Sequence, residues 1–314
     1  MSRRGLALFI AMCVIWGIPY LLIKVTLRGL GPVDLVFVRF LLGALLLVPI
    51  ALTRVQVRPI LRRWGWIVAY TIIEMGIPWV LLSDAELRIS SSLSGLLVST
   101  VPLIGVVIGV ATRSGERHGW RRILGLCIGL VGVGVLVGFN VSSSTFGAIG
   151  EVIIVAICYA TGPYIINRKL SDLPALGVIA GSLLLAAVAY APAALVQLPH
   201  AWPSGEVIAA ALALGVVCTA IAFLVFFALI AEVGPVRATV ITYVNPAVAV
   251  TLGVLLLHEP LTGGIAVGFA LILAGSVLAA RAAPQPSESA DLTRIRPRRS
   301  RRLWERRPPR HGRS

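Results

Sequence analysis

Apolar residues come in long unbroken runs separated by short polar breaks. Ten runs stand out: 5–27, 34–53, 64–83, 90–112, 120–139, 146–168, 174–196, 206–230, 235–257 and 261–280. About 20 helical residues, rising 1.5 Å each, cross a hydrocarbon layer of roughly 30 Å. Every run reaches that length, and none alternates polar and apolar positions as the strands of a membrane barrel do. A backbone in lipid must satisfy its own hydrogen bonds, which favours helices. The pattern predicts an all-α polytopic membrane protein with ten transmembrane helices.

A longer period is superimposed on the runs. From Val98 to Val133 an apolar stretch with an early proline leads to a polar break at Arg113–Arg122 and then to a glycine-rich stretch. The same order returns from Thr242 to Val277. Pro102 matches Pro246 at an offset of 144, while Glu116, Gly125 and Gly132 match Glu259, Gly268 and Gly275 at 143. Pro19, Tyr20 and Lys24 match Pro163, Tyr164 and Arg168 at 144. A period this long means two copies of one unit. The expected organisation is a first five-helix repeat over 1–142, a second over 143–281, and a tail over 282–314. Because five is odd, head-to-tail copies lie upside down relative to each other. Inverted repeats are the architecture of alternating-access carriers, whose substrate sites lie near the midplane between the halves.

Charge fixes the expected orientation. Hydrophobic residues make up 58% and charged residues 13%, against about 25% charged in a soluble domain. Mean hydropathy is +0.93. Of the 28 Lys and Arg, the N-terminus, the even-to-odd loops and the tail collect 24. The opposite side holds Arg28 and Arg88, and Lys24 and Arg39 lie within helices. The positive-inside rule then puts both termini in the cytoplasm. The first run contains Lys24 and no small-residue cleavage site, so it reads as a retained span. The four cysteines lie inside apolar runs without a CxxC and read as small buried hydrophobes.

Some residues interrupt the apolar pattern in ways that suit transport. Pro19, Pro78, Pro102, Pro163 and Pro246 each remove a donor and free the carbonyl four residues earlier, at Ile15, Glu74, Val98, Tyr159 and Thr242. Such breaks kink a helix for packing or line a watery cavity, and the paired positions suggest gating helices. Glu74 lies at the centre of the third run. An ionised carboxylate there costs several kcal/mol, so it is expected to be protonated, paired or in a wet cavity. It is the candidate for proton coupling. A permanently neutral Glu74 bonded to a freed carbonyl is the alternative. Glu151 and Arg39, at similar depth, are expected to pair or to snorkel separately. Lys24 reads as a snorkelling end residue. Trp16, Tyr20, Glu74, Trp79, Tyr159 and Tyr164, with Thr242 and Asn245, are candidates for lining a substrate pocket. Interfacial anchoring is the competing role for the aromatics. Glu116 and Glu259 each precede a helix and suit its positive end, a structural role. The glycines of runs five and ten are expected to bring helices together, within the chain or as a homodimer face.

At this point the chain resembles the drug/metabolite transporter superfamily, EamA-type, across nearly all of 5–280. The residues carrying the resemblance are Trp16-Gly17, Lys24, Gly31-Pro32, Arg39, Ala85, Pro102, Gly115-Glu116-Arg117, Gly125 and Gly132-Val133. The second half adds Ala228, Pro246, His258-Glu259-Pro260, Gly268 and Gly275. The resemblance implies ten helices, an inverted five-plus-five repeat, and export or exchange of small metabolites across the bacterial inner membrane. It also favours a structural or gating role for Arg39. One departure is Cys158-Tyr159-Ala160-Thr161, where many relatives repeat the Trp-Gly pair.

Other classes find less support. No HExxH or P-loop occurs, and the four histidines lie in loops or tail, so neither an enzyme nor an ATP-driven pump is expected. No metal or cofactor is implied. The tail carries 11 of the arginines, counted from Arg281, and suits disorder and contact with anionic lipid. Nucleic acid is not an expected partner, since only Trp304 offers a stacking group there. A membrane sensor or scaffold signalling through that tail is the alternative function, and it leaves the inverted repeat without a purpose. In a cysteine-free variant, a cysteine replacing His258 should react with a membrane-impermeant thiol reagent from outside intact cells. One replacing Gly115 should react only after permeabilisation. Reaction of both from the same side would end the inverted topology.

Overall fold

The computed structural model describes residues 1–111, 120–138, 143–197, 201–234, 238 and 240–281. Among these residues every regular element is helical. Seven segments are long and apolar enough to cross a membrane: 3–26, 32–54, 64–86, 91–108, 145–170, 175–196 and 205–233. Three shorter apolar helices, 123–135, 241–257 and 263–278, fall on the remaining runs. The Arg-rich stretch 282–314 and the break around Glu116 lie outside the described residues.

Prolines punctuate the first span and the fourth. Helix α1 (Arg3–Gly17) ends two residues before Pro19, which opens α2 (Pro19–Thr26) at its first turn. Helix α7 (Ser91–Val98) gives way to α8 (Val101–Ala111), with Pro102 in its first turn. A proline without an N–H is tolerated there because that donor has no intrahelical partner. The second span is α3 (Pro32–Arg54), followed by the short α4 (Val57–Arg62). The third span is α5 (Trp64–Tyr70), a π-helical turn (Thr71–Gly76) and α6 (Ile77–Glu86). The wide turn precedes Pro78, and the Ile77 N–H reaches back five residues to Ile72.

Beyond these come α9 (Trp120–Gly138), α10 (Ser143–Ile165) and α11 (Ala175–Val196). Pro163 stays inside α10, which continues as a π-helical segment, Ile166–Leu170. The eighth span is α12 (Gly205–Leu212), a π-helical stretch (Ala213–Ile221) and α13 (Ala222–Val233). No proline signals this last irregularity. Helix α14 (Ile241–Leu257) holds Pro246 in its interior, and α15 (Gly263–Arg281) ends the described chain.

Small residues set the closest helix contacts. Helices α9 and α15 form the most extensive pair. A methyl group added to Gly275 would lie 2.5 Å from the Gly129 nitrogen and 2.6 Å from the Gly125 oxygen. One added to Gly132 would meet the Ile272 nitrogen at 2.8 Å. These are backbone-to-backbone approaches that only glycine permits, and they gain dispersion where lipid supplies no hydrophobic drive. The glycines of runs five and ten thus bring α9 and α15 together within one chain. Gly17 on α1 does the same against Val248 of α14, where an added methyl group would come within 2.4 Å. Elsewhere α3 packs on α11, α6 on α10 and α7 on α14. Leu45, Leu52, Val188 and Leu255 point outward, as a lipid-facing surface requires.

Side-chain ties define two ends of the bundle. At one, Ser2 Oγ bonds Glu232 at 2.5 Å and Arg63 bonds Asp172 at 3.1 Å. At the other, Arg28 pairs with Glu206 at 2.9 Å, and Arg88 bridges Asp84 to Glu151. Replacing Gly275 with Val should lower the melting temperature of the detergent-solubilised protein by an amount matching about 1–3 kcal/mol of overpacking. Gly134→Ala on the same α9 faces open space and should leave melting unchanged. Equal effects would remove the α9–α15 contact as their cause.

Candidate functional site

The site is built on irregular helix. Glu74 sits in the π-helical turn Thr71–Gly76, where the wide register rotates its side chain toward α10. Its carboxylate lies against the backbone of Gly162: a methyl group there would fall 1.7 Å from Glu74 Oε2. Oε2 is enclosed and has no hydrogen-bond partner. Tyr70, Cys158 and Tyr159 are its electrostatic neighbours. The turn is braced from behind by Tyr190 of α11, whose hydroxyl donates to the Gly76 carbonyl at 3.0 Å.

Arg39 forms the second pole. It projects from α3, is 8% exposed, and lies over the Trp79 ring at 3.7 Å. Its Nε–H donates to Thr219 Oγ1 at 2.9 Å. Thr219 in turn donates to the Leu214 carbonyl five residues back, within the π-helical stretch of the eighth span. Phe40 stacks on the same Trp79 ring at 4.8 Å between centroids. The Trp79 side chain also neighbours Tyr159. A guanidinium out of water is costly, and a ring face plus a hydroxyl offsets part of that cost. Tyr20 completes the group as an electrostatic neighbour of both Arg39 and Tyr159. Glu74, Arg39, Trp79, Tyr159 and Tyr20 thus fall in one group, with Arg39, Trp79 and Tyr20 buried and Glu74 and Tyr159 half-buried.

The other sequence candidates fall elsewhere. Trp16 packs on Phe223 and Phe226 of α13, in a separate apolar cluster. Asn245 tethers α14 to α1, its amide donating to the carbonyls of Cys13 at 3.2 Å and Ile241 at 2.9 Å. Thr242 lies on the same helix. Tyr164 is 39% exposed and stacks under the Arg168 guanidinium at 4.4 Å. Arg39 and Glu151, weighed as a pair, have different partners: Glu151 takes Arg88 at 2.6 Å. Lys24 does not snorkel. Its ammonium donates to the carbonyls of Glu86 and Ile89, the latter at 2.8 Å, at the negative end of α6. Gly162, Thr219 and Tyr190 carried no motif, and only a fold that brings distant helices together reveals them.

Glu259 corrects one reading. It serves the positive end of a helix, but not of the helix that follows it. Oε1 accepts from the Ser91 N–H at 2.8 Å and hydroxyl at 2.9 Å, and Oε2 from the Ser92 N–H at 2.9 Å and hydroxyl at 2.5 Å. The carboxylate therefore caps α7, 168 residues earlier. His258 turns the chain back with φ +55°, and Gly253 leaves room for the two serines. Beside this cap a cavity of about 200 Å³ is lined by Arg88, Ser90, Thr145 and Thr262 among others.

The EamA-like transporter family matches residues 3–138 and again residues 147–281. The chain belongs to this family. The uncharacterized inner membrane transporter YedA of Escherichia coli K12 is 32% identical over 258 residues, covering 79% of this chain and 80% of its own length. The uncharacterized transporter YvbV of Bacillus subtilis 168 is 26% identical, over 87% of this chain and 90% of its own. A probable amino-acid metabolite efflux pump of Escherichia coli K12 is 23% identical, over 88% and 94%. A solved crystal structure shares the fold with a TM-score of 0.62, covering 90% of this chain and 98% of its own at 23% identity. The chain is thus a multi-pass membrane transporter. Because Glu259 supplies four contacts to α7, Glu259→Ala should destabilise the protein by about 1–3 kcal/mol, read as a lower melting temperature. Ser92→Ala in that background should add little. Additive losses would show that the carboxylate and the serine act separately.

Proposed function

We propose that this transporter is a secondary carrier that exports or exchanges small metabolites, such as amino acids or drugs, by alternating access. Its two five-helix halves, 1–142 and 143–281, are inverted copies, and both termini are cytoplasmic. Glu74 carries the coupling proton. Arg39, Trp79, Tyr159 and Tyr20 surround the substrate, and Pro102 and Pro246 mark the helices that move. Glu151 takes part in gating through Arg88.

The observation carrying this reading is the enclosed, unpartnered Oε2 of Glu74 against Gly162. No donor reaches Oε2 to stabilise a negative charge there, and an unpaired charge out of water costs several kcal/mol. Water or a cationic group arriving with substrate would change that balance. One proton crossing a gradient of one pH unit supplies about 1.4 kcal/mol, enough for roughly tenfold accumulation. The membrane potential adds about 2.3 kcal/mol per 100 mV for each charge moved.

Purified protein in liposomes should move a radiolabelled amino-acid mixture or a fluorescent organic cation faster when a pH gradient is imposed. Glu74→Gln should fold normally and lose the gradient dependence. Gly162→Ala should do the same, because the added methyl group displaces the carboxylate. Gradient-driven flux that survives Glu74→Gln would exclude Glu74 as the proton carrier.

A further inference from the structure

Glu86 ends α6 with a side chain that is 0% exposed, and neither carboxylate oxygen has a hydrogen-bond partner. It stands at the end of the bundle opposite the N-terminus, whereas Glu74 lies three turns earlier on the same span. The proposed transport mechanism does not use it. We propose that Glu86 is a second proton-binding site, and that the proton it holds belongs to the closed arrangement of the turn joining α6 to α7. The inference stands whether or not Glu74 couples transport.

The turn is held from two sides by opposite charges. Lys24 on α2 grips its first half through the carbonyls of Glu86 and Ile89. Glu259 grips its second half through Ser91 and Ser92. Both charges complement helix ends, the cation at the C-terminus of α6 and the anion at the N-terminus of α7. The Glu86 carboxyl is enclosed between them.

The charged groups acting on it are Lys24 and Glu259, and its own charge is felt by the Tyr20 hydroxyl. Of the charged residues on the elements packed against α6, Asp34 and Glu74 each keep one enclosed, unpartnered oxygen, and the others are engaged. Asp34 engages the backbone of Gly31, Arg39 engages Thr219 and Trp79, and Glu151 engages Arg88. With Glu86 ionised, the pocket would hold two carboxylates and one ammonium, and that ammonium already spends two donors on carbonyls. With Glu86 protonated, Lys24 and Glu259 balance. The sealed turn therefore fits a neutral carboxyl. Release of either grip admits water to Glu86 and lets the proton leave. Binding and release of this proton are thereby linked to opening at this end.

Infrared difference spectra between acid and alkaline pH, recorded on the purified wild type, read this directly. A protonated-carboxyl stretch should be present in the wild type and in Glu74→Gln, and reduced by one carboxyl in Glu86→Gln. Lys24→Gln, which leaves Glu86 in place, should displace the band's disappearance to higher pH, because the carboxylate loses its cation. Glu259→Gln should displace it to lower pH, because an anionic neighbour is removed. A spectrum unchanged by Glu86→Gln, or a titration that ignores both neighbours, overturns the proposal. If Glu86→Gln fails to fold, the two neighbour variants decide alone. Loss of coupling in Glu74→Gln with the Glu86 band intact separates this site from the first.

Discussion

Hydrocarbon offers no hydrogen bonds, so each place where a helix is interrupted needs its own internal donor or acceptor. That single requirement explains most of the polar chemistry in this molecule. The chain breaks or widens its helices at Ile18, Thr71–Gly76, Ser99–Thr100, Ile166–Leu170 and Ala213–Ile221. Side chains from other spans reach the backbone at one of these wide turns and also at helix ends and inside α1. Tyr190 meets Gly76, Lys24 meets Glu86 and Ile89, Glu259 meets Ser91 and Ser92, and Asn245 meets Cys13. Each contact crosses between spans distant in sequence. The polar residues that look anomalous in an apolar chain are therefore tertiary fasteners as well as candidates for transport.

The same logic concentrates function where helices are least regular. Two π-helical stretches, from the third and eighth spans, supply Glu74 and Thr219 to one cluster. A wide turn shifts side-chain register and leaves backbone carbonyls to be claimed by others. Close approach of α10, made possible by the absence of a side chain at Gly162, encloses the Glu74 carboxylate. Irregular backbone and a small residue together enclose one oxygen of an ionisable group.

The helical class and the approximate positions of the seven membrane-length helices were legible because hydropathy acts locally and runs of 20 residues leave few alternatives. Breaks at Pro19 and Pro102 were legible because proline's missing N–H acts within its own helix. The close packing of Gly129, Gly132 and Gly275 followed from spacing. What escaped was information held between helices. The partner of Arg39 depends on which face of the eighth span meets α3, and no motif encodes that choice. Glu259 shows the limit most clearly. Its attraction to a positive helix end was readable, but which helix end was not, since the nearest in sequence is not the nearest in space.

That cap has a consequence for biogenesis. Ser91 and Ser92 leave the ribosome 168 residues before the carboxylate that completes them. At the usual rate of about 5–20 residues per second, the fourth span waits roughly 10 to 30 seconds in the membrane with its leading amides uncovered. During that interval the nascent first half depends on water at the membrane surface, or on the insertion machinery, to occupy them. A chain truncated before Glu259 would carry this defect permanently, so an uncovered amino end of the fourth span marks an unfinished copy.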